Sequence, residues 1–361
     1  MNILAAASPG EVRVAAIDAT GLVDYAIWRP GASDGVGDIH RGRVTARVPA
    51  MAGAFVAIEG ADGFLPDSVG GASAGVGTIL GVRVTRAAQG GKGPRLAADP
   101  TVPRGEVGLV RRGPDPVRRL AALHPQAGVI VDDAVLFAEL RADLDGRLSL
   151  VRRAFDDATE TAVDALGDNA ATLPGGARMT VHPTPALTAI DVDLGAATAE
   201  RSAKDRAQLA GNRALLPALA RQIRLRNLSG AILVDVAGLS ARKRAALGPD
   251  FAAALADDPL RPRFLGFTAL GLAEIVRSRI HPPLHEVLGG VHAAGLAALR
   301  HLAREIAARP ELAPALCCAP LVASAIEHDS VAYADLARRA GRPLMLRTDR
   351  AMAPLGWSIE Q

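Results

Sequence analysis

Cysteine is almost missing from this 361-residue chain: there are two, and they are neighbours, Cys317 and Cys318. Adjacent cysteines suit neither a disulfide framework nor the two-residue gap of a zinc knuckle, so no structural zinc is expected and a reducing cytoplasm is the expected setting. Aromatics are scarce as well, at 3% of residues. Charge is nearly balanced, with 41 Lys and Arg against 38 Asp and Glu. That excess, carried almost wholly by Arg, is too small to define a nucleic-acid binder on its own. Long apolar runs are lacking too. The least polar stretch, 312–326, is broken by Pro314 and Pro320 and falls short of the roughly 18 residues a membrane span needs. Residues 1–17 have no basic leader and carry Glu11 and Arg13, so neither a span nor a signal peptide is expected. Gly90-Gly91-Lys92-Gly93 lacks the Walker spacing and a strand-to-helix setting, and no Gly-x-Ser-x-Gly elbow occurs. P-loop and serine-hydrolase chemistry are thereby set aside.

What is present is apolar content, 49% of residues, enough for real cores and for two to three domains. The beginning alternates: Val12, Val14 and Ile17, a turn at Gly21, then 22–28, which reads as a β-hairpin. After a Gly/Ser/Asp linker at 31–37, five short strands are expected at 39–48, 54–59, 63–66, 78–87 and 94–98, with Gly and Pro in every gap. This is the pattern of a small OB-type Greek-key barrel, and it fits an anonymous β-domain equally well. Residues 107–173 turn mixed, with a strand at 128–131 and helical periodicity over 134–166. Strands follow at 178–181 and 187–192, then a long helix at 198–226 carrying Leu215, Leu219 and Ile223. Beyond it come an apolar strand at 231–236, a helix at 243–255, a strand at 263–268 and a helix from Leu272. The tail from about Ala294 reads as Ala- and Leu-rich helix, a strand at 344–347 and an apolar stretch around Trp357. No internal repeat is visible, and the alternation is that of an α/β or α+β protein.

Three carboxylates stand out. Asp191 and Asp193 lie two apart on a strand and so share a face. Asp235 interrupts Leu233-Val234-Asp235-Val236, a strand that reads as buried on both sides. An unpaired carboxylate there costs several kcal/mol unless a cation offsets it. Neighbouring strands bearing Asp191, Asp193 and Asp235 could hold magnesium, a hard cation that keeps waters for a phosphate. Equally, Asp235 could pair with an arginine or cap a helix. Phe55 and Phe64 are either barrel core or, facing outward beside Lys92 and Arg95, a stacking surface for bases next to a phosphate groove. The run Arg221-Gln222-Ile223-Arg224-Leu225-Arg226 is either a basic contact or a solvated helix end.

In that order these pieces resemble the ribonuclease E/G family. Gly37-Asp38-Ile39-His40-Arg41-Gly42-Arg43-Val44, residues 51–58 and 62–66, and Lys92-Gly93-Pro94-Arg95-Leu96 resemble its OB-fold domain. Residues 188–193 resemble the strand with its first metal-binding aspartate. Residues 220–235, from Ala220-Arg221-Gln222 to Asp235, resemble its most recognisable segment, ending in the second aspartate. Gly271-Leu272-Ala273-Glu274 with Arg277 and Arg279 extends the match. The resemblance implies a multi-subdomain α/β fold. A ribonuclease-H-like subdomain (1–37 plus 110–172) carries an inserted OB-fold barrel (38–100), followed by a deoxyribonuclease-I-like catalytic subdomain (173–290) and a small α/β C-terminal domain (291–361). It implies a magnesium-dependent endoribonuclease, with Mn2+ as the alternative ion, that cuts single-stranded RNA in rRNA or tRNA processing or mRNA decay and leaves 5′-phosphates. Asp191 and Asp235 would be catalytic metal ligands, with Asp193 beside them. Phe55, Phe64, Lys92, Arg95, Arg221 and Arg224 would contact RNA.

The chain departs from that pattern in places. The family often has Asn where Asp193 stands, and a basic residue at the position of Ala269. Its zinc-link cysteines should follow Pro282 and Pro283, yet residues 285–290 contain none, so any homo-oligomer is expected to form without zinc. Between Leu96 and Pro174 there is no Arg-Thr pair of the kind that grips a 5′-monophosphate; Arg347-Thr348 lies in the tail. The contrasting expectation is an RNA-binding protein that kept the scaffold and lost turnover.

Overall fold

The computed structural model describes residues 1–194 and 201–360, with the backbone alone at 201–206 and at Ala241. Two compact units are present, one of Met1–Ser33, Pro114–Ala162 and His285–Gln361, the other of Asp34–Gly113 and Val163–Leu284.

The first unit opens with an antiparallel meander, Asn2–Ser8 (β1), Glu11–Asp18 (β2) and Gly21–Trp28 (β3). The expected hairpin is β2–β3, turning at Gly21 with φ +103°, a conformation open to glycine and costly for other residues. β1 went unread because Ala5-Ala6-Ala7 shows no alternation.

In the second unit the barrel strands are Ile39–Val48 (β4), Gly53–Ile58 (β5), Ala61–Pro66 (β6), Ile79–Arg86 (β7) and Arg95–Ala98 (β8), with Gly108–Arg111 (β9) added beside β4. The order is β5-β6-β8-β7-β4, closed by β4–β5 pairing. Closure depends on β4. Its first half pairs with β7 and its second with β5, the change helped by a bulge between Val44 and Ala46, as bulges commonly bend barrel strands. Alternate residues point inward, so Val44, Val56, Leu65, Val82, Val84 and Leu96 fill the interior. The result is a closed five-stranded barrel of OB-like form.

Back in the first unit, Asp115 caps Pro116–Leu123 (α1) and Asp133 caps Ala134–Leu144 (α2), each by accepting backbone N–H groups. Gly128–Val131 (β10) lies parallel to β1, and Leu148–Leu150 (β11) parallel to β10. The sheet order is β11-β10-β1-β2-β3. The stretch expected as one helical region, 134–166, is α2, β11 and Asp157–Asp164 (α3). Leu136, Leu140, Val117 and Leu120 bury against Ile3, Val14 and Val129.

The second unit's large sheet follows. Its strands are Ala170–Thr172 (β12), Arg178–Pro183 (β13), Thr188–Asp193 (β14), Gly230–Asp235 (β15), Arg263–Phe267 (β16) and Ala273–Arg277 (β17), in the order β12-β13-β14-β15-β17-β16. Between β14 and β15 runs the helix Arg201–Leu225 (α4); Thr198 to Glu200 of the expected helix lie outside the described residues. Ala241–Arg244 (α5) and Gly248–Leu255 (α6) come after β15. Leu215, Leu219 and Ile223 of α4 and Phe251 of α6 cover one face of the sheet, burying Ile190, Val192, Ile232, Val234 and Ile275. The helix expected from Leu272 is the strand β17. Ala273, Ile275 and Arg277 are buried while Val276 is exposed, a period of two rather than 3.6.

The remaining elements are Leu284–Leu288 (α7), Gly290–Ala308 (α8), Ala315–Cys318 (β18), Pro320–His328 (α9), Ser330–Ala340 (α10), Leu346–Thr348 (β19) and Trp357–Glu360 (β20). β18, the centre of the sheet β19-β18-β20, went unread within the helical tail; its four residues are all buried, which erases any alternation. Glu11 and Arg13, odd in an apolar strand, are explained here. Glu11 accepts from Arg29 and, at 2.9 Å, from Arg300 of α8, and Arg13 pairs with Glu160 of α3 at 2.7 Å.

Candidate functional site

β14 and β15 are parallel neighbours, and Asp191 is the register partner of Asp235. Because Ile190, Val192, Ile232 and Val234 point into the helix-covered core, both aspartates project from the opposite face, one strand spacing of about 4.8 Å apart. Asp191 is exposed and, among the described residues, has no ion-pair partner. Asp235 differs from the sequence expectation of burial on both sides. Its side chain is 48% exposed, and Arg244 of α5 meets its Oδ1 at 2.6 Å. The misreading arose from Leu233, which is apolar but half-buried on the open face. Arg244 is itself fixed, its Nε donating to the Leu239 carbonyl at 2.7 Å and its Nη1 to the Gly271 carbonyl at 2.8 Å. It therefore occupies one oxygen of Asp235 and aims the carboxylate.

Sequence reasoning missed Arg244, and also Asn212. This fully buried residue of α4 donates to the Ala237 carbonyl at 2.9 Å and accepts from the Ala237 N–H at 3.2 Å, locking the turn that follows Asp235. A polar residue on the apolar face of α4 was the available signal. Asp193 lies two residues beyond Asp191, opposite Arg178 of β13. Among the described residues no three His, Cys, Asp or Glu side chains form a group able to hold a metal ion, so the structure unites Asp191 with Asp235 and does not draw Asp193 into a three-carboxylate set. One unpaired and one half-paired carboxylate, side by side and open to water, still fit magnesium, which commonly takes one or two carboxylates and keeps its waters.

On the barrel, Phe55 and Phe64 are register partners on β5 and β6, their rings edge-to-face with centroids 5.6 Å apart. Their neighbours Ala54, Val56 and Leu65 are fully buried inside, so the half-buried rings lie on the outer surface. Phe64 lies over Gly53, where an added Cβ would come within 2.4 Å of the ring. Arg95 is in register with Phe64 and exposed, and Lys92 is exposed on the adjacent turn. Four of the expected RNA contacts thus share one surface. Arg221 and Arg224 do not join the carboxylates, because α4 covers the other face of their sheet; Arg224 donates to the Asp257 carbonyl at 3.1 Å. Next to it, buried Arg226 bonds the carbonyls of Leu166 and Asp168, which is a role in the fold.

Residues 135–280 match the family model described as Ribonuclease E/G family. Ribonuclease E of Nostoc sp. (strain PCC 7120) is 36% identical over 118 residues, 32% of this chain and 17% of that protein. Ribonuclease G of Haemophilus influenzae is 30% identical over 130 residues, 36% of this chain and 26% of that protein. Ribonuclease G of Escherichia coli (strain K12) is 32% identical over 117 residues, 32% of this chain and 24% of that protein. The matched stretch therefore spans between 17% and 26% of these relatives' length. The carboxylate-bearing sheet defines the class, an α/β domain with an acidic pair at adjacent strand ends. Over residues 135–280 this chain is similar to the Ribonuclease E/G family.

Proposed function

We propose that the chain is an endoribonuclease that cuts single-stranded RNA with a divalent metal, Mg2+ or Mn2+, held by Asp191 and Asp235. The observation that carries this reading is the register pairing of the two aspartates on the open face of the sheet. A bound ion there supplies Lewis-acid polarisation of a phosphate and an acidified water. The chain's own groups do the rest. Arg244 holds Asp235 in one orientation, Phe55 and Phe64 stack bases, and Lys92 and Arg95 contact phosphates. The order β11-β10-β1-β2-β3, with β10 and β11 parallel to β1, fits the ribonuclease-H-like reading of 1–37 plus 110–172. The two-sided strand order around β15 is compatible with a deoxyribonuclease-I-like 173–290, leaving 38–100 as the RNA-binding barrel and 291–361 as the small terminal domain. Processing or decay of cellular RNA in the cytoplasm belongs to the same proposal, supported by the buried, unpaired thiols of Cys317 and Cys318. Titrating magnesium against cleavage of an A/U-rich single-stranded RNA tests it directly. An RNA that is bound but never cut would favour the second reading, a binding protein without turnover, to which Arg244 on Asp235 lends its weight.

Two further outcomes are expected. Alanine at Phe55 or Phe64 should weaken single-stranded RNA binding by about 1–3 kcal/mol without lowering the melting temperature much, since both rings lie outside the barrel core; filter binding and thermal melts check this. Unfolding of either variant would return the ring to a structural role. Second, cleavage should be indifferent to the RNA's 5′ end. Of the arginines between Leu96 and Pro174, Arg112 is engaged by Asp38 at 2.7 Å and Arg118 by Asp143 at 2.6 Å, whereas a phosphate pocket needs donors in fork geometry. The same RNA with a monophosphate, triphosphate or hydroxyl at its 5′ end should be cut at equal rates. A monophosphate preference of roughly tenfold, about 1.4 kcal/mol, would contradict this.

A further inference from the structure

We infer that Arg86, Arg95 and Arg279 form a phosphate-binding cleft that takes a backbone phosphate of single-stranded RNA far from the bond being cut; that its ligand is RNA rests on the reading above. Arg86 ends β7 and Arg95 begins β8, and the two are register partners. The Ala87 N–H donates to the Ile280 carbonyl at 2.8 Å, which brings Arg86 beside Arg279. Arg279 in turn packs against Gly230, whose φ is +82° and where an added Cβ would come within 2.3 Å of the guanidinium. That seat exists only because residue 230 has no side chain. Arg86 Nε is buried with no hydrogen-bond partner, and among the described residues none of the three arginines has an ion pair. Other arginines of this unit contrast with them: Arg47 meets Asp67, Arg213 meets Asp250, Arg277 meets Asp258. Burial, then the charges of Arg95 and Arg279, lower the pKa of Arg86, and no carboxylate opposes them.

Three converging guanidinium groups without a carboxylate are short of an anion, and their forked donors match phosphate oxygens. Arg95, in register with Phe64, makes the cleft continuous with the aromatic pair. It is remote from the chemistry. Arg277 pairs with Gly230 at the start of β15 and Asp235 ends that strand, a separation of about 17 Å at about 3.3 Å per residue.

The test measures binding of a short fluorescein-labelled A/U-rich RNA to full-length Asp191→Asn protein over a salt series. Arg86→Gln and Arg279→Gln should each weaken binding by about tenfold, as expected for a lost charge-assisted contact, and flatten the log–log salt slope by about 0.7 per phosphate contact. Arg86→Lys and Arg279→Lys should keep the slope, which a merely structural role would not predict. Unchanged affinity and slope in both Gln variants would overturn the cleft. Should the part-buried Arg86→Gln unfold, the exposed Arg279→Gln carries the same test. Inorganic phosphate that raises the melting temperature of the parent but not of Arg86→Gln, with RNA binding unaltered, would assign a free anion and overturn the RNA assignment. If the arginines govern binding while the wild-type protein cuts no RNA with any divalent ion, the cleft stands and the nuclease reading falls.

Discussion

Asp191→Asn is expected to abolish magnesium-dependent cleavage, by about a thousandfold or more, with RNA affinity close to wild type. Several kcal/mol of transition-state stabilisation commonly come from a metal acting on a phosphate, and about 4 kcal/mol is a factor of about a thousand. Asparagine keeps the shape of the side chain and removes the charge proposed to hold the ion. Asp191 has no ion-pair partner among the described residues, so the substitution breaks no structural contact and its effect is confined to the metal. Asp235→Asn should lose as much activity, with an added cost, because Arg244 at 2.6 Å loses its carboxylate. Asp193→Asn should matter much less, since Asp193 faces Arg178 across β13–β14 rather than joining the pair. Single-turnover cleavage beside equilibrium binding on the same RNA separates these effects. Near-wild-type turnover by Asp191→Asn would remove the metal assignment altogether.

The barrel was legible because its signals are local. Glycine and proline punctuate each strand, alternation is strict at Val82, Arg83 and Val84, and the observed strands lie within two residues of those expected. Both aspartates could be placed on strands for the same reason. Their exact opposition could not, since register between strands separated by a 25-residue helix is a tertiary property. Apolar Leu233 suggested a two-sided buried strand, whereas only one face of that sheet is covered by α4 and α6. Arg244 and Asn212, which fix Asp235 and the turn after it, act over sequence separations that leave no periodic trace. The Arg-rich end of α4 reads from sequence as either a basic contact or a solvated helix end; Arg226, just beyond it, is instead scaffold, buried and bonded to carbonyls far away in sequence.

That scaffold gives the second large expectation: Arg277→Ala should destabilise the protein by about 3–5 kcal/mol, the usual cost of removing one partner of a buried ion pair. Arg277 and Asp258 have side chains only 4% and 6% exposed, with Nε 2.6 Å from Oδ2. Arg277 Nη1 also donates to Asn227 Oδ1 at 2.6 Å and to the Leu228 carbonyl at 3.2 Å. Asn227 holds the left-handed position just past α4, φ +48°, and its amide donates to the carbonyls of His281 and Pro282 at 2.9 Å each. Truncating Arg277 therefore strands a buried carboxylate and takes a donor from an amide oxygen and a carbonyl. Asp258→Ala should cost a comparable amount by stranding the guanidinium. The double variant Arg277→Met/Asp258→Leu should recover most of the loss, because an apolar pair of similar volume leaves no charge behind. Urea denaturation followed by circular dichroism reads all three. A loss below about 1 kcal/mol in Arg277→Ala would mean that solvent or a side-chain shift satisfies Asp258, and the pair would then be surface-like. Arg277 faces Gly230 at the start of β15, whereas Asp235 ends that strand. Cleavage per folded molecule should thus stay near wild type while the folded fraction falls, and rates normalised to that fraction distinguish a scaffold residue from one that takes part in the reaction.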